Sequence, residues 1–186
     1  MAYNEADTRA KIIDPKLYQS GWAEDFISRE FYFTEGKIYL VGDEAKRKEP
    51  KKADYMLRYN DALPLAVVEA KEEEKSAATG MQQAKDYAER LDILFAYATN
   101  GHEIEEFDFS TNTQKTVSNF PSREELYQRF IKARGLETLD VAPLITPYNK
   151  QTFNENPRYY QQVAIRRAIE EFSKGRNRIL LNLATG

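Results

Sequence analysis

The sequence predicts an α/β domain built on a mixed central sheet flanked by helices. Three observations predict it. Helical and strand-like segments follow one another in the order helix, antiparallel strands, helix, strand, then peripheral elements. Leu63 to Val68 and Ile93 to Ala98 are short apolar runs that suit buried strands. Between these runs lies Thr79 to Leu91, a segment of helical composition.

Each element has a local reason. Asn4 followed by Asp7 reads as an N-cap with an acidic first turn, and Ala6, Ala10 and Ile13 then share one helical face. Asp14-Pro15 reads as a fresh cap with proline at the first helical position, and Gly21 closes that short helix. Phe26 to Thr34 and Lys37 to Gly42 are strand-like, with Glu35-Gly36 as the turn between them. Asp54 to Tyr59 and Leu63 to Lys71, joined by the polar turn at Asn60-Asp61, predict a central hairpin. Asn100-Gly101 turns the chain after the second apolar run. Ile104, Phe107 and Phe109 predict another strand, followed by a polar loop. Ser122 and Glu125 make a capping box for a helix that reaches Arg134 and is closed by Gly135. Glu137 to Pro157 contains three prolines and little periodicity, so it reads as a linker. Tyr160 to Phe172 is an amphipathic helix, and Ile179 to Leu183 is a short aliphatic strand.

Composition narrows the function. The 186 residues suffice for one ordinary domain and part of another, and 31% of them are charged, as in a solvated globular protein. No apolar run has the length of a membrane span, and Met1 to Lys11 is too polar for a secretory signal. Cysteine is absent and a single histidine is present. Thiolate zinc sites, poly-histidine sites and a serine protease triad are thereby disfavoured, and the chain fits a reducing, cytoplasmic setting. A metal here would be held by carboxylate oxygen, which favours magnesium, manganese or calcium. The net charge of −3 argues against a strong free-standing DNA binder. Lys46, Arg47, Lys48, Lys51 and Lys52 nevertheless cluster before Asp54, either as a solvated turn or as a track for a phosphate backbone.

Asp54, Glu69 and Lys71 form the candidate constellation. Side chains alternate along a strand, so Glu69 and Lys71 share a face while Ala70 points away. The hairpin can set the Asp54 carboxylate beside Glu69. Two adjacent carboxylates repel, and a divalent cation relieves them. Such an ion lowers the pKa of water and neutralises charge on a phosphoryl oxygen, and a neighbouring ammonium can orient that water. The spacing alone decides nothing, because an acid two residues before a lysine occurs six times. Glu69/Lys71 differs from the other pairs in following an apolar strand, where unpaired charge is costly. Gln83 and Tyr87 share a face of the next helix, and Glu5 in the first helix offers a third carboxylate. Taken singly, Glu5 also fits a helix-dipole partner and Gln83/Tyr87 a surface pair.

Together, Glu5 to Trp22 (EADTRAKIIDPKLYQSGW), Asp54 with Glu69-Ala-Lys71, Gln83-x-x-x-Tyr87 and Ala98-Thr-Asn-Gly101 resemble the N-terminal nuclease domain of the restriction (R) subunit of type I restriction–modification enzymes. The resemblance covers roughly residues 1–135. It implies a restriction-endonuclease-like PD-(D/E)xK core, with Asp54 and Glu69 as metal ligands, Lys71 as the catalytic lysine and Glu5 as a supporting acid. Gln83 and Tyr87 match the Q-x-x-x-Y signature of RecB-type nucleases, placed near the DNA strand. The family's Pro-Asp dipeptide is absent, since Ala53 precedes Asp54.

The tail resembles a second module. Pro157-Arg-Tyr-Tyr-Gln161-x-x-Ala-Ile165 is similar to the Q-motif of superfamily 2 helicases and translocases, in which the glutamine (here Gln161) reads adenine. Leu180 to Gly186 resembles the strand entering a Walker A loop, whose lysine does not occur in these residues. The expected organisation is an endonuclease domain at 1–136, a linker at 137–157 and the start of a RecA-like motor at 158–186. The implied function is magnesium- or manganese-dependent cleavage of double-stranded DNA, in company with modification (M) and specificity (S) subunits, after translocation driven by ATP in the full-length protein only. Two rivals remain open: the nuclease domain of another helicase–nuclease fusion, and a catalytically inert docking or DNA-binding module of the same fold.

Overall fold

The computed structural model describes residues 2–33, 38–41, 44–47, 50–147 and 157–182. A six-stranded sheet organises them, in the order β1-β4-β5-β6-β7-β8. Its strands are β1 (Ile27–Phe33), β4 (Lys51–Arg58), β5 (Pro64–Ala70), β6 (Phe95–Thr99), β7 (Ile104–Asp108) and β8 (Thr113–Val117). Between β1 and β4 in the chain, β2 (Ile38–Val41) and β3 (Glu44–Arg47) pair only with each other. The hairpin expected from the sequence is present as the antiparallel β4–β5 pair. β5 and β6 run parallel, joined through helix α3 (Ala78–Arg90), and the remaining pairs of the sheet are antiparallel. The sheet is therefore mixed, as predicted.

Helices cover both faces. The N-terminal helical segment (α1, Glu5–Thr8; a π-helical turn, Arg9–Ile13; α2, Asp14–Gln19) and helix α4 (Arg123–Arg134) pack on one face. There Ile13, Leu17, Trp22, Leu126 and Phe130 meet Tyr55, Leu57, Val68 and Phe95. On the other face Met81, Ala84, Tyr87, Ala88 and Leu91 of α3 and its end meet Met56, Val67, Ala96 and Ala98. Burying one large aliphatic or aromatic side chain contributes roughly 1.5–3 kcal/mol, so these two layers hold the sheet. β5 and β6 sit in its middle and are buried on both sides, which explains their nearly continuous apolar sequence. Ser122 accepts the N–H of Glu125, which is one half of the expected capping box, and Gly135 ends α4 at φ +66° as the sequence predicted.

Several expectations need correction. Asp14 does not cap a new helix: Ile13 and Asp14 are both helical, and α1 runs into α2 through the π turn. The Asp14 carboxylate instead accepts from Tyr55 Oη at 2.9 Å and from Arg29. A looser π turn suits this position because Pro15 lacks the N–H that would continue the α-helical ladder. The polar segment after Phe109 carries the edge strand β8; its ladder to β7 holds it while its side chains face water. Residues 137–147 are not a bare linker either. They include α5 (Ala142–Ile145), whose Leu144 is buried in the first core layer. Ile179 to Asn182 form no strand, and Leu180 is 91% exposed. A strand needs a neighbour to complete its backbone hydrogen bonds, and none lies beside this segment among the described residues. The Glu35-Gly36 turn, Lys48, the side chains of Lys46 and Arg47, the rest of the expected linker at 148–156, and 183–186 lie outside the described residues.

Candidate active site

The pairing Tyr55↔Val68 stands one residue after Asp54 on β4 and one before Glu69 on β5, so the antiparallel register carries the two acids to the same level. Alternation places Asp54 with Met56 and Glu69 with Val67, on the face covered by α3. Both acids are buried, at 5% and 1% exposure. Asp54 Oδ2 accepts the N–H of Ala70 at 2.8 Å, across the strand gap. Glu69 Oε1 is buried and has no hydrogen-bond partner among the described residues.

The electrostatics follow from this burial. The Glu69 carboxyl is pushed up to about 9, first by desolvation and then by the neighbouring Asp54 charge, with Lys71 pulling the other way. The burial of Glu69 deep in the sheet thus favours a protonated or cation-neutralised state. Lys71 follows β5 directly, and its N–H donates to Thr99 O at 2.8 Å. Its stem runs against α3: a Cβ added to Gly80 would lie 2.9 Å from Lys71 Cε and 3.5 Å from Glu69 Cβ. Glycine at this position lets the helix approach the strand that carries both groups.

Gln83 and Tyr87 lie on α3 as predicted, and Gln83 Nε2 donates to Tyr87 Oη at 3.1 Å. Tyr87 is buried, packs edge-on to Phe33 and lies beneath Lys51 Nζ. Its hydroxyl is held above its ordinary value by burial first, with the charges of Glu69 and Asp54 among the further causes, so it sits within electrostatic reach of the acids. The Glu5 side chain is half-buried and makes no hydrogen bond or ion pair among the described residues, where no group of three or more metal-ligating side chains gathers. Arg9, one turn further on, reaches Asp54: its guanidinium lies 3.7 Å from Asp54 Oδ1 and over the Tyr55 ring. On β1, beside Asp54, Glu30 adopts φ +53° and pairs with Arg9 and Lys52. Sequence reasoning missed Arg9 and Glu30. Arg9 lies four residues after Glu5, so the helical period was the available signal.

Two buried carboxylates, one with an orphaned oxygen, and an ammonium alongside fit a hard divalent cation that keeps several of its own waters. They also fit the chemistry of phosphodiester hydrolysis. In the tail, helix α6 (Tyr159–Ser173) starts at the Q-like segment, where Gln161 Oε1 accepts the N–H of Arg158 at 2.9 Å.

Comparison with known proteins bears on the same residues. The family model for the N terminus of type I restriction enzyme R proteins matches residues 38–124, a span that contains Asp54, Glu69, Lys71, Gln83 and Tyr87. The chain is 36% identical to the type I restriction enzyme EcoAI endonuclease subunit of Escherichia coli, over 98% of its own length. The chain is thus similar to the N-terminal region of type I restriction enzyme R proteins. It spans 23% of that curated relative. A solved structure described as a fragment of a putative HsdR subunit of a type I restriction enzyme from Vibrio vulnificus YJ016 superposes over the entire chain, with a TM-score of 0.88 and 45% identity, and the chain covers 36% of it. The helix-flanked six-stranded sheet described above is therefore an architecture that this chain shares with that fragment.

Proposed function

We propose that residues 1–136 are a magnesium- or manganese-dependent DNA endonuclease domain of the PD-(D/E)xK type. The observation that carries this reading is the buried Glu69 oxygen without a partner among the described residues, set beside Asp54 on the neighbouring strand. Asp54 and Glu69 would hold the cation. When bound, it supplies a Lewis acid that makes water a better nucleophile and offsets charge on the phosphoryl oxygen. Lys71 orients the attacking water and stabilises negative charge as the phosphorus–oxygen bond breaks. Gln83 and Tyr87 position the DNA strand at the mouth of the site, and Arg9 balances the Asp54 charge. Burial sharpens each of these effects, because charges interact more strongly where water is excluded.

The remaining proposals concern the whole protein. The full-length R protein acts with modification and specificity subunits, which select double-stranded DNA. A superfamily 2 motor beginning near residue 158 uses ATP, through Gln161 and a Walker A loop, to deliver that DNA. Cleavage follows translocation and is indifferent to local sequence. The test is substitution of Asp54, Glu69 or Lys71 by alanine in the assembled complex. Each change is expected to abolish cutting while ATP hydrolysis continues. Loss of both activities together would mean that these residues are structural.

A further inference from the structure

The turn Asn100-Gly101 follows β6 and lies against the chain that leaves β5. Asn100 is 7% exposed, and its amide makes hydrogen bonds in two directions. Its Oδ1 accepts the N–H groups of His102 at 3.0 Å and Glu103 at 2.8 Å, within its own turn. Its Nδ2 donates to Lys75 O at 2.8 Å and to Glu73 O at 3.4 Å. Those carbonyls lie just past Lys71, whose own N–H is held by Thr99 O, the residue next to Asn100. Glu73 is tied further: its carboxylate accepts Tyr3 N–H at 2.7 Å and lies 2.9 Å from the His102 ring nitrogen. Gly101 has φ +90°, and a Cβ there would lie 2.9 Å from Ile12 Cγ2. The turn therefore also abuts the helical segment that carries Arg9 to Asp54.

We propose that Asn100 is a positioning residue for Lys71: it clamps the backbone beyond the lysine so that the ammonium leaves the sheet from a fixed point beside Asp54 and Glu69. This rests on the nuclease reading above. A lysine stem has four flexible carbons, and an ammonium on a wandering backbone spends little time at any one water. Thr99 fixes the entry of that backbone and Asn100 fixes its exit.

The test uses the full-length R protein in its assembled complex, with Asn100→Asp. The aspartate keeps the oxygen that His102 and Glu103 need, but it turns an acceptor toward the carbonyls of Glu73 and Lys75. The expected result is a loss of DNA cleavage of about tenfold or more at saturating magnesium. ATP hydrolysis and the manganese dissociation constant stay unchanged, and amide exchange at 71–75 speeds up. Should that variant fail to fold, Asn100→Ser keeps a shorter donor and acceptor and is expected to give an intermediate loss in the same measurements. Undiminished cleavage, or manganese affinity falling with cleavage, would overturn the proposal. A parallel Glu69→Ala titration keeps the two readings apart: manganese binding that survives it defeats the metal site itself, whatever Asn100 does.

Discussion

Asp54 on β4 accepts the backbone N–H of Ala70 on β5 at 2.8 Å, so the first acid is pinned to the residue that separates Glu69 from Lys71. One hydrogen bond thus fixes the relation among three candidate side chains from two neighbouring segments. It also occupies one oxygen of Asp54 and leaves the other facing Arg9 at 3.7 Å.

The pH dependence of stability follows from Glu69. Its carboxyl is raised to about 9 in the fold, chiefly by burial and then by Asp54, against roughly 4.3 in an unfolded chain. A raised value means that its contribution is fully present below the unfolded value and is lost as pH climbs through the folded one. Without divalent ions, the melting temperature should fall between about pH 5 and pH 9, with a slope of at most about 1.4 kcal/mol per pH unit from this group. Glu69→Gln should flatten that slope, and manganese should raise the melting temperature more at pH 8 than at pH 6. A slope that persists in Glu69→Gln would place the titration elsewhere.

Gly80→Ala separates activity from stability. In helix α3 the change gains about 1 kcal/mol of helix propensity. The added methyl would press on Lys71 Cε at 2.9 Å, and that is the far end of a flexible side chain that can swing away. The expected outcome is a melting temperature equal to or above that of the parent, with DNA cleavage in the complex reduced several-fold as Lys71 is displaced. Cleavage at the parental rate would show that the lysine has room to spare.

Docking of α6 rests on buried charge. Arg166, 4% exposed, donates to Leu91 O at 2.8 Å and Asp92 O at 3.0 Å, capping the end of α3. Asp92, at φ +53°, also pairs with Arg134 and Arg167. Breaking a buried pair on one side typically costs about 3–5 kcal/mol. Arg166→Ala should therefore lower the melting temperature and open α6 to proteolysis. An unchanged digestion pattern would mean that apolar contacts alone hold the helix.

Much of this architecture was legible in the sequence. The Leu63 to Lys71 run, the Asn60-Asp61 turn and the helix over Gln83 and Tyr87 were predicted because apolar pattern and turn chemistry agree there. The hairpin argument set Asp54 level with Glu69, and the strand register does the same. What the sequence hid depends on partners distant in the chain. Asp14 reads locally as a cap, but Tyr55 and Arg29 claim it from β4 and β1. Strand β8 is polar because only its backbone is needed at the sheet edge. Arg9, one helical turn beyond Glu5, turns toward Asp54, a contact that depends on how the first helix packs on β4 and that its sequence neighbours do not announce.

The most direct test of the whole account is a crystal of the R protein soaked in manganese and measured at the manganese absorption edge. The expected result is an anomalous peak bonded to carboxylate oxygens of both Asp54 and Glu69, lost in Glu69→Ala. Clean density for both side chains with no manganese between them at saturating concentration would contradict it.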